Sequence, residues 1–364
     1  MKTFEYTRAA DVRDALDRVA AGATPLGGGT NLVDLMKLGV ARPDALVDVS
    51  RLDLGDVVLD DDGTLSIGAT VPNADLAAHP VVRTRYPALS RALLAAASGQ
   101  LRNRATTAGN LLQRTRCVYF MNTSKPCNKR EPGSGCPAIE GLSRELAVLG
   151  GSSSCIATHP GDMAVAMTAF DATVHFETVD GPDQLPIQEF FRLPGDEPER
   201  DTNLPLGALI TRVTIPPLAF AGHSTYRKAR DRRSYAFALG SVAAALDVEG
   251  GIIRDVRIAL GAASHRPWRA FTAEDALRGG RATIDAFSAA AGAELAAATP
   301  TTQNAFKVPL LQRLIVGTLA ELAGIGGADD SAGAGISDDT GPDRTAADGD
   351  TGVRGVADDG EIDA

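Results

Sequence analysis

All four cysteines of this chain lie in one irregular, polar segment. They are Cys117, Cys127, Cys136 and Cys155, with the spacing C-x9-C-x8-C-x18-C, and the rest of the 364-residue chain contains none. Cysteines used only as small buried hydrophobes would be scattered through the core. A chain of this length can also bury a sufficient core without covalent help. The segment therefore predicts a cysteine-ligated centre.

Four thiolates can hold either a 4Fe-4S cluster or a single zinc ion. Structural zinc sites typically use two tight C-x2–4-C pairs, which this sequence lacks, so the spacing favours the cluster. Two disulfides, or a grouping without function, are further alternatives, although disulfides are rare in large cytosolic chains. We therefore expect all four cysteines to be cluster ligands, with zinc and disulfides left open.

The sequence around the cysteines is basic and follows no helical or strand period. From about residue 117 to 157 it is rich in Pro, Gly, Ser and Asn, and loops of this length are usually functional or disordered. Between Arg114 and Gly135, basic residues outnumber acidic ones five to one. Such cations would partly neutralise a thiolate-held cluster and raise its potential. A solvated basic loop is the simpler alternative.

The formal charge of −10 is concentrated at one end of the chain. Residues 326–364 carry ten Asp, one Glu and two Arg, so the remaining residues are nearly neutral. This segment has few large apolar residues, and we expect it to be disordered. The chain has no basic stripe for nucleic acid, no apolar run of the ~18–20 residues that a membrane helix needs, and no export signal in its first residues. We therefore expect a cytoplasmic protein that binds neither nucleic acid nor membrane, with export by means of a partner's signal left open.

Hydrophobic periodicity predicts an alternation of helices and strands. Residues 12–19 have the spacing of an amphipathic helix, and residues 23–26 form a strand that leads into a glycine loop and a short helix. The proline-rich region 181–206 is expected to connect two domains, and Thr272 with Asp275 to form a helix capping box. Further predicted helices span 71–98, 162–170 and 310–322, and predicted strands span 45–49, 57–59, 65–67, 173–177, 209–215, 224–229, 238–248 and 252–260.

The glycine loop is Leu26-Gly27-Gly28-Gly29-Thr30-Asn31-Leu32. Successive glycines between a strand and a helix let backbone N–H groups approach a phosphate. The loop has neither the Rossmann G-x-G-x-x-G spacing nor the Walker motif, and a tight turn without a ligand remains an alternative. Two further small-residue turns, at 104–111 and 157–163, also lie at the edges of predicted elements.

Together these segments resemble a known family. The glycine loop, the Gln100-Leu101-Arg102-Asn103 and Thr107-Ala108-Gly109-Asn110 stretches, and His159-Pro160-Gly161-Asp162 are similar to the FAD-binding subunits of the molybdenum hydroxylases. That family includes xanthine dehydrogenases, aldehyde oxidoreductases and molybdenum carbon-monoxide dehydrogenases. The Tyr226–Ser234 and Ile258–Ala262 stretches extend the resemblance, which covers about residues 1–325. The stretches Asn110–Cys117 and Pro126–Cys136 resemble the subset that carries an extra 4Fe-4S cluster.

The resemblance implies an α+β fold in two parts. A two-part FAD-binding domain of the vanillyl-alcohol-oxidase and molybdenum-hydroxylase flavoprotein type would span residues 1–206 and carry the cysteine loop at 114–157. A smaller α+β domain, the flavoprotein C-terminal domain, would span residues 207–325.

The same resemblance implies which residues bind FAD. The glycine loop would wrap the pyrophosphate, the turn before residue 111 would donate further hydrogen bonds, Asp162 would bind a polar group of the cofactor, and Lys228 would lie near the flavin. A helix N-cap is an alternative role for Asp162, and a solvated strand face an alternative position for Lys228. The implied FAD-binding residues are Leu26, Gly27, Gly28, Gly29, Thr30, Asn31, Leu32, Thr107, Gly109, Asn110, Gly161, Asp162 and Lys228.

The implied function is electron transfer within a larger oxidoreductase. A large molybdopterin-binding subunit and a small 2Fe-2S subunit would be the partners, and electrons would pass through their centres to FAD and then to an external acceptor. Because the cofactors would perform the chemistry, no catalytic side chain is predicted. The alternatives are a flavin subunit similar to that of 4-hydroxybenzoyl-CoA reductase, a free-standing flavoprotein oxidoreductase, and a zinc-stabilised binding module.

Overall fold

The computed structural model describes residues 1–325. The acidic segment 326–364, predicted to be disordered, lies outside the described residues. In the first third of the chain the elements are β1 (Glu5–Arg8), α1 (Val12–Ala20), β2 (Thr24–Leu26), α2 (Leu32–Lys37), β3 (Ala45–Asp48), β4 (Val57–Leu59), β5 (Leu65–Gly68), α3 (Asn73–Ala78), α4 (Pro80–Arg85), α5 (Pro87–Ala95), α6 (Gly99–Arg102), α7 (Thr107–Leu111) and α8 (Val118–Met121).

The remaining elements follow an irregular stretch of forty residues. They are α9 (Asp162–Ala169), β6 (Thr173–Thr178), β7 (Gly181–Pro186), α10 (Ile187–Phe190), β8 (Leu209–Ile215), β9 (Ser224–Ala229), β10 (Gly240–Glu249), β11 (Ile252–Gly261), β12 (Trp268–Arg269), α11 (Phe271–Leu277), α12 (Ile284–Leu295) and α13 (Lys307–Ala323).

The N-terminal sheet is parallel, with the strand order β1-β3-β2. Helix α1 begins where Asp11 accepts a hydrogen bond from the backbone N–H of Asp14, a standard N-cap. Its buried face consists of Ala15, Leu16 and Val19, as the spacing predicted. Because a strand-helix-strand unit places the carboxyl end of β2 at the sheet edge, the glycine loop that follows β2 is presented there.

A five-stranded antiparallel sheet follows, with the order β4-β5-β8-β6-β7. Strands β6 and β7 form a hairpin, so the region predicted to connect two domains instead begins with an edge strand and helix α10. That prediction was wrong because Pro182 and Pro186 suggested a linker, whereas an edge strand tolerates proline. The predicted division at residues 206/207 stays a prediction; β8, just after it, pairs with β5 and β6.

The last sheet is antiparallel, with the order β12-β11-β10-β9; helices α11 and α13 pack against it, and α12 packs against both helices. Helix α9 is buried along its whole length and packs against α5, β10 and β11. The capping box expected at Thr272 is absent from this described region. Helix α11 instead begins at Phe271, with Ala270 as its N-cap. Strand β12 pairs with β11 up to Arg269, so the helix starts directly after the strand and before Thr272.

Among residues 1–325, no helix is long and apolar enough to cross a bilayer.

Candidate functional site

The glycine loop is pressed against the turn that precedes α7. A Cβ atom on Gly28 would lie 1.7 Å from the carbonyl oxygen of Arg104, and Gly29 has a positive φ of 74°. Both positions therefore require glycine. The side chain of Thr106 caps α7 by accepting from the N–H of Gly109 and also lies beside Gly27. Two turns far apart in sequence thus form one surface.

This surface is one wall of an open cleft of about 680 Å³. That volume lies within the ~300–1,000 Å³ range of ligand and cofactor pockets, so the cleft is large enough for an extended cofactor. Its walls come from the glycine loop, α2, α7, the start of α9, β9 and the segment after β9. The predicted binding residues that line it are Gly29, Thr30, Asn31, Gly109, Asn110, Gly161, Asp162 and Lys228.

The remaining predicted FAD-binding residues are not among those that line the cleft. Leu26, Gly27, Gly28 and Leu32 shape the loop and do not line the cleft. Thr107 is fully buried, and both its N–H and its hydroxyl donate to the carbonyl of Val71, at 3.0 and 3.1 Å. Its hydrogen bonds therefore hold α7 in place and are not directed at a ligand.

Asp162 and Lys228 form a buried ion pair at one end of the cleft. Lys228 Nζ donates to Asp162 Oδ2 at 2.8 Å, and Tyr226 Oη donates to Oδ1 at 2.5 Å. Burial, and then the Asp162 charge, raise the pKa of Tyr226 well above its usual value, so the phenol stays protonated. Gly161 is the N-cap residue of α9, and the Lys228 side chain is only 4% exposed. The two simpler alternatives for these residues therefore do not describe the structure.

The sequence did not predict several residues of the cleft. Asn73 accepts from Asn110 Nδ2 at 2.7 Å, and Gln113 Nε2 donates to Asn110 Oδ1 at 2.9 Å, which makes a row of amides along one wall. Sequence proximity links only Asn110 with Gln113, whereas Asn73 arrives from α3. Additional missed lining residues are Lys37, Arg102, Arg116, Glu145, Asp231, Arg232, Tyr235 and Phe237.

Two cleft residues have buried nitrogen atoms that make no hydrogen bond within residues 1–325. They are Asn31 Nδ2 and Arg116 Nε. A buried donor without an acceptor costs free energy, which an added acceptor removes. Together with the backbone of the glycine loop, these donors suit a ligand that carries phosphate oxygens. The cleft therefore fits a dinucleotide such as FAD.

The four cysteines converge on a second, much smaller cavity of about 10 Å³, which all four line. All are free thiols, and Cys117, Cys127 and Cys155 are buried. A hydrogen bond from Cys155 lowers the pKa of Cys136 to about 6, and that bond together with burial raises the pKa of Cys155. Because all four thiols are free, the described residues do not show the disulfides of the alternative hypothesis. Among the described residues, no group of three or more His, Cys, Asp or Glu side chains has the arrangement that holds a metal ion.

The basic residues of the cysteine loop are mostly used inside the protein. Lys129 is 2% exposed and pairs with Asp201, which also accepts from Arg114 Nε at 2.7 Å. Arg130 donates to backbone carbonyls of α8 at 2.8 and 2.9 Å. Asn128 Nδ2 donates to the carbonyl of Ser154 at 3.0 Å. The segment is therefore an ordered fold of its own and not a solvated basic loop.

Comparison with known proteins identifies the family. Residues 2–218 match the family described as the FAD-binding domain in molybdopterin dehydrogenase, and residues 224–322 match the CO dehydrogenase flavoprotein C-terminal domain. The chain belongs to the FAD-binding subunits of the molybdenum hydroxylases. It is therefore a subunit of an oxidoreductase, and the family and cofactor predicted from the glycine loop and its partner turns are confirmed.

Curated relatives cover most of the chain. It is 50% identical over 326 residues to the aldehyde oxidoreductase FAD-binding subunit PaoB of Escherichia coli, covering 88% of this chain and 98% of that one. It is 27% identical to the glyceraldehyde dehydrogenase medium chain of Sulfolobus acidocaldarius, covering 74% of this chain and 79% of that one.

Solved structures have the same fold. Quinoline 2-oxidoreductase from Pseudomonas putida 86 matches with a TM-score of 0.69 and 22% identity, over 89% of this chain and 98% of that one. Carbon monoxide dehydrogenase from Hydrogenophaga pseudoflava matches with a TM-score of 0.67 and 24% identity, over 87% and 96%. The predicted α+β fold, a two-domain FAD-binding fold like that of the CO dehydrogenase medium chain, is confirmed.

Proposed function

We propose that this chain is the FAD- and 4Fe-4S-binding medium subunit of a molybdenum-containing aldehyde oxidoreductase. The single observation that carries the cluster is the convergence of four free thiols on one cavity. The aldehyde substrate is suggested by the relative that is 50% identical. The relatives' descriptions as medium chains and FAD-binding subunits support large and small partner subunits, for which we propose a molybdopterin-binding and a 2Fe-2S protein.

The cleft residues have separate roles in this proposal. The loop ending in Thr30 and Asn31 holds the pyrophosphate, with the free Asn31 amide as an additional donor. Gly109 and Asn110 bind from the opposite wall. Asp162 and Lys228 bind polar groups at the end of the cleft where the ion pair lies. Bound FAD supplies the conversion between electron pairs and single electrons.

The cysteine cavity supports a cluster more than a zinc ion. A single tetrahedral zinc ion binds each sulfur at about 2.3 Å, which requires the four sulfurs to be drawn tightly together. The cysteine spacing lacks the two tight C-x2–4-C pairs that are typical of structural zinc sites, which favours a cluster. Cys117, Cys127, Cys136 and Cys155 are the proposed ligands.

The cluster cavity lies close to the cleft. A third cavity is lined by Cys117 and also by Arg116, Glu145 and Asp162, which line the cleft as well. This arrangement supports a role in passing electrons between partner centres, the flavin and an external acceptor. Free thiols fit a reducing compartment, so we propose the cytoplasm, which fractionation of the source cells would test.

The test is the cofactor content of the complex purified from its source. We expect flavin absorbance, a broad shoulder near ~400 nm, about four irons per chain in this subunit, and co-purifying molybdopterin and 2Fe-2S subunits. Replacing one ligand (Cys155→Ser) should lower the iron content, whereas Ser153→Ala, at an exposed serine of the same loop, should not. Flavin without iron would overturn the cluster, and a colourless zinc protein would overturn the redox function.

A further inference from the structure

Helix α2 lies between the cofactor cleft and the cysteine cavity. Val33, Asp34 and Lys37 line the cleft, together with the glycine loop that immediately precedes the helix. Leu35, in contrast, is 2% exposed and belongs to the same buried apolar cluster as Cys117 and Cys155. The helix that extends the glycine loop is therefore packed directly against the residues around the cysteines.

Polar contacts fasten the same two regions. The backbone N–H of Arg114 donates to Asn31 Oδ1 at 3.1 Å, and Arg116 forms an ion pair with Asp34. Arg116 immediately precedes Cys117, and Arg114 lies three residues before it. The segment that enters the cysteine loop is thus bonded to Asn31 of the glycine loop and to α2.

Asp201 joins these contacts from outside both sites. It accepts from Arg114 Nε at 2.7 Å and from Lys129, which follows Cys127 by two residues. Lys129 Nζ also donates to the carbonyl of Pro198 at 2.6 Å, and Arg114 donates to that of Glu199 at 3.0 Å. Burial alone would raise the pKa of Asp201, but the Lys129 and Arg114 charges outweigh it and lower the pKa to about 2, so the carboxylate remains ionised.

We propose that the cysteine centre and the glycine loop form one coupled unit in which Asp201 is a positioning residue, so that loss of order at the cysteines weakens FAD binding. This inference rests on the proposed function. Without the Asp201 carboxylate, Lys129 is a buried cation without its counter-charge, and such a group forces its surroundings to rearrange. That rearrangement reaches Asn31 through Arg114 and reaches α2 through the packing of Leu35.

Coupling between two sites is reciprocal. If iron in the cysteine cavity favours the FAD-binding form of the loop, FAD must retain iron to the same degree. Coupling of the usual size changes an affinity about 5- to 150-fold. We therefore expect removal of iron to raise the dissociation constant of FAD at least about fivefold, and we expect Asp201→Asn to do the same.

The chain offers a matched control for Asp201. Asp255 also pairs with two cationic side chains, Arg257 and Arg278, and its side chain is 29% exposed, compared with 28% for Asp201. It lies on β11, away from the residues that line the cleft and the cysteine cavity. Asp255→Asn therefore removes a carboxylate that has two cationic partners without touching the coupled unit.

The experiment compares wild type, Asp201→Asn and Asp255→Asn in the purified complex. Iron per chain and the FAD dissociation constant, from quenching of flavin fluorescence, are measured for each, with circular dichroism to verify folding. A weaker FAD affinity in Asp201→Asn alone supports the coupling. Equal FAD affinity in the two variants overturns it, while the proposed function stands if the wild type carries iron. Wild type with FAD but without iron overturns the cluster.

A second measurement avoids substitution. Iron is removed from the wild-type complex with a chelator, and the FAD dissociation constant is measured before removal and after. An increase of fivefold or more supports the coupling, and an unchanged value overturns it even if Asp201→Asn does not fold.

Discussion

Lys228 Nζ lies 2.8 Å from Asp162 Oδ2, and both side chains are at most 5% exposed. Two charges buried this deeply stabilise each other only while both are present. Replacing either Asp162 or Lys228 alone is therefore expected to destabilise the protein.

Lys228→Met is expected to lower the free energy of unfolding by about 3–5 kcal/mol, because it leaves the Asp162 carboxylate buried without a counter-charge. Urea unfolding at pH 7 measures the loss, and flavin content should fall with it. Arg254→Met, which breaks an exposed ion pair with Glu249, is the control and should have little effect. Equal losses of unfolding free energy in the two variants would show that the buried ion pair stabilises the protein no more than the exposed one.

Gly28→Ala is expected to remove bound FAD from the purified subunit. Its Cβ would lie 1.7 Å from a backbone oxygen of Arg104, which has no flexible end to move, so the glycine loop has to shift. Gly99→Ala, at the first residue of α6 with no atom within 4 Å of the new Cβ, should keep its flavin. FAD released by heat, measured by fluorescence, distinguishes the two. Full flavin content in Gly28→Ala would mean that this close approach is not needed for binding.

The protein is expected to lose stability as the pH falls from 6.5 to 4. Burial lowers the pKa of His159 and of His265 to about 4, so the unfolded chain binds more protons than the folded one in this window. Each histidine contributes up to about 3 kcal/mol, present above pH 6.5 and lost towards pH 4. Urea unfolding at several pH values measures the slope. The free energy of unfolding should depend less steeply on pH in His265→Gln. An unchanged dependence would show that His265 does not contribute to the loss of stability.

Lys307→Met is expected to destabilise the protein by about 3 kcal/mol, because it leaves buried carbonyl groups without donors. The fully buried Lys307 Nζ donates to the carbonyls of Glu145, Leu146 and Ala262, at 3.3, 2.8 and 2.6 Å. It thereby ties the start of α13 to the segment before Cys155. Thermal and urea unfolding measure the effect. Arg313→Met, at an exposed residue of the same helix, should leave the stability unchanged. A similar loss of stability in that variant would mean that the substitution disturbs α13 and not the hydrogen bonds of Lys307.

Much of the secondary structure followed from local pattern. The spacing of Leu16 and Val19 predicted α1, and the small residues after β2 predicted a loop between strand and helix. The errors came where tertiary contacts outweighed local signals. Pro182 suggested a linker but lies on an edge strand, and Thr272 suggested a cap but lies inside a helix whose start is set by β12.

The residues of the cleft also fall into those that the sequence predicted and those that depend on tertiary contacts. Gly29, Asn31 and Asn110 belong to recognisable small-residue turns, so the sequence pointed to them as cofactor residues, and the structure places all three on the cleft. Asn73 and Arg116 carry no such signal, because their role depends on elements that meet only after folding. The assignment of individual residues to FAD stays a prediction until binding is measured.

The sequence by itself determined the family, the FAD-binding domain and the grouping of four cysteines, because glycine turns and clustered thiols have chemical requirements that local sequence expresses. Only the tertiary structure decided that these features are joined. Lys129 and Arg114 lie more than seventy residues before Asp201, yet both pair with it, and Leu35 packs beside cysteines eighty and more residues away. Such pairings depend on burial and on charges meeting in space, which the order of residues along the chain does not record.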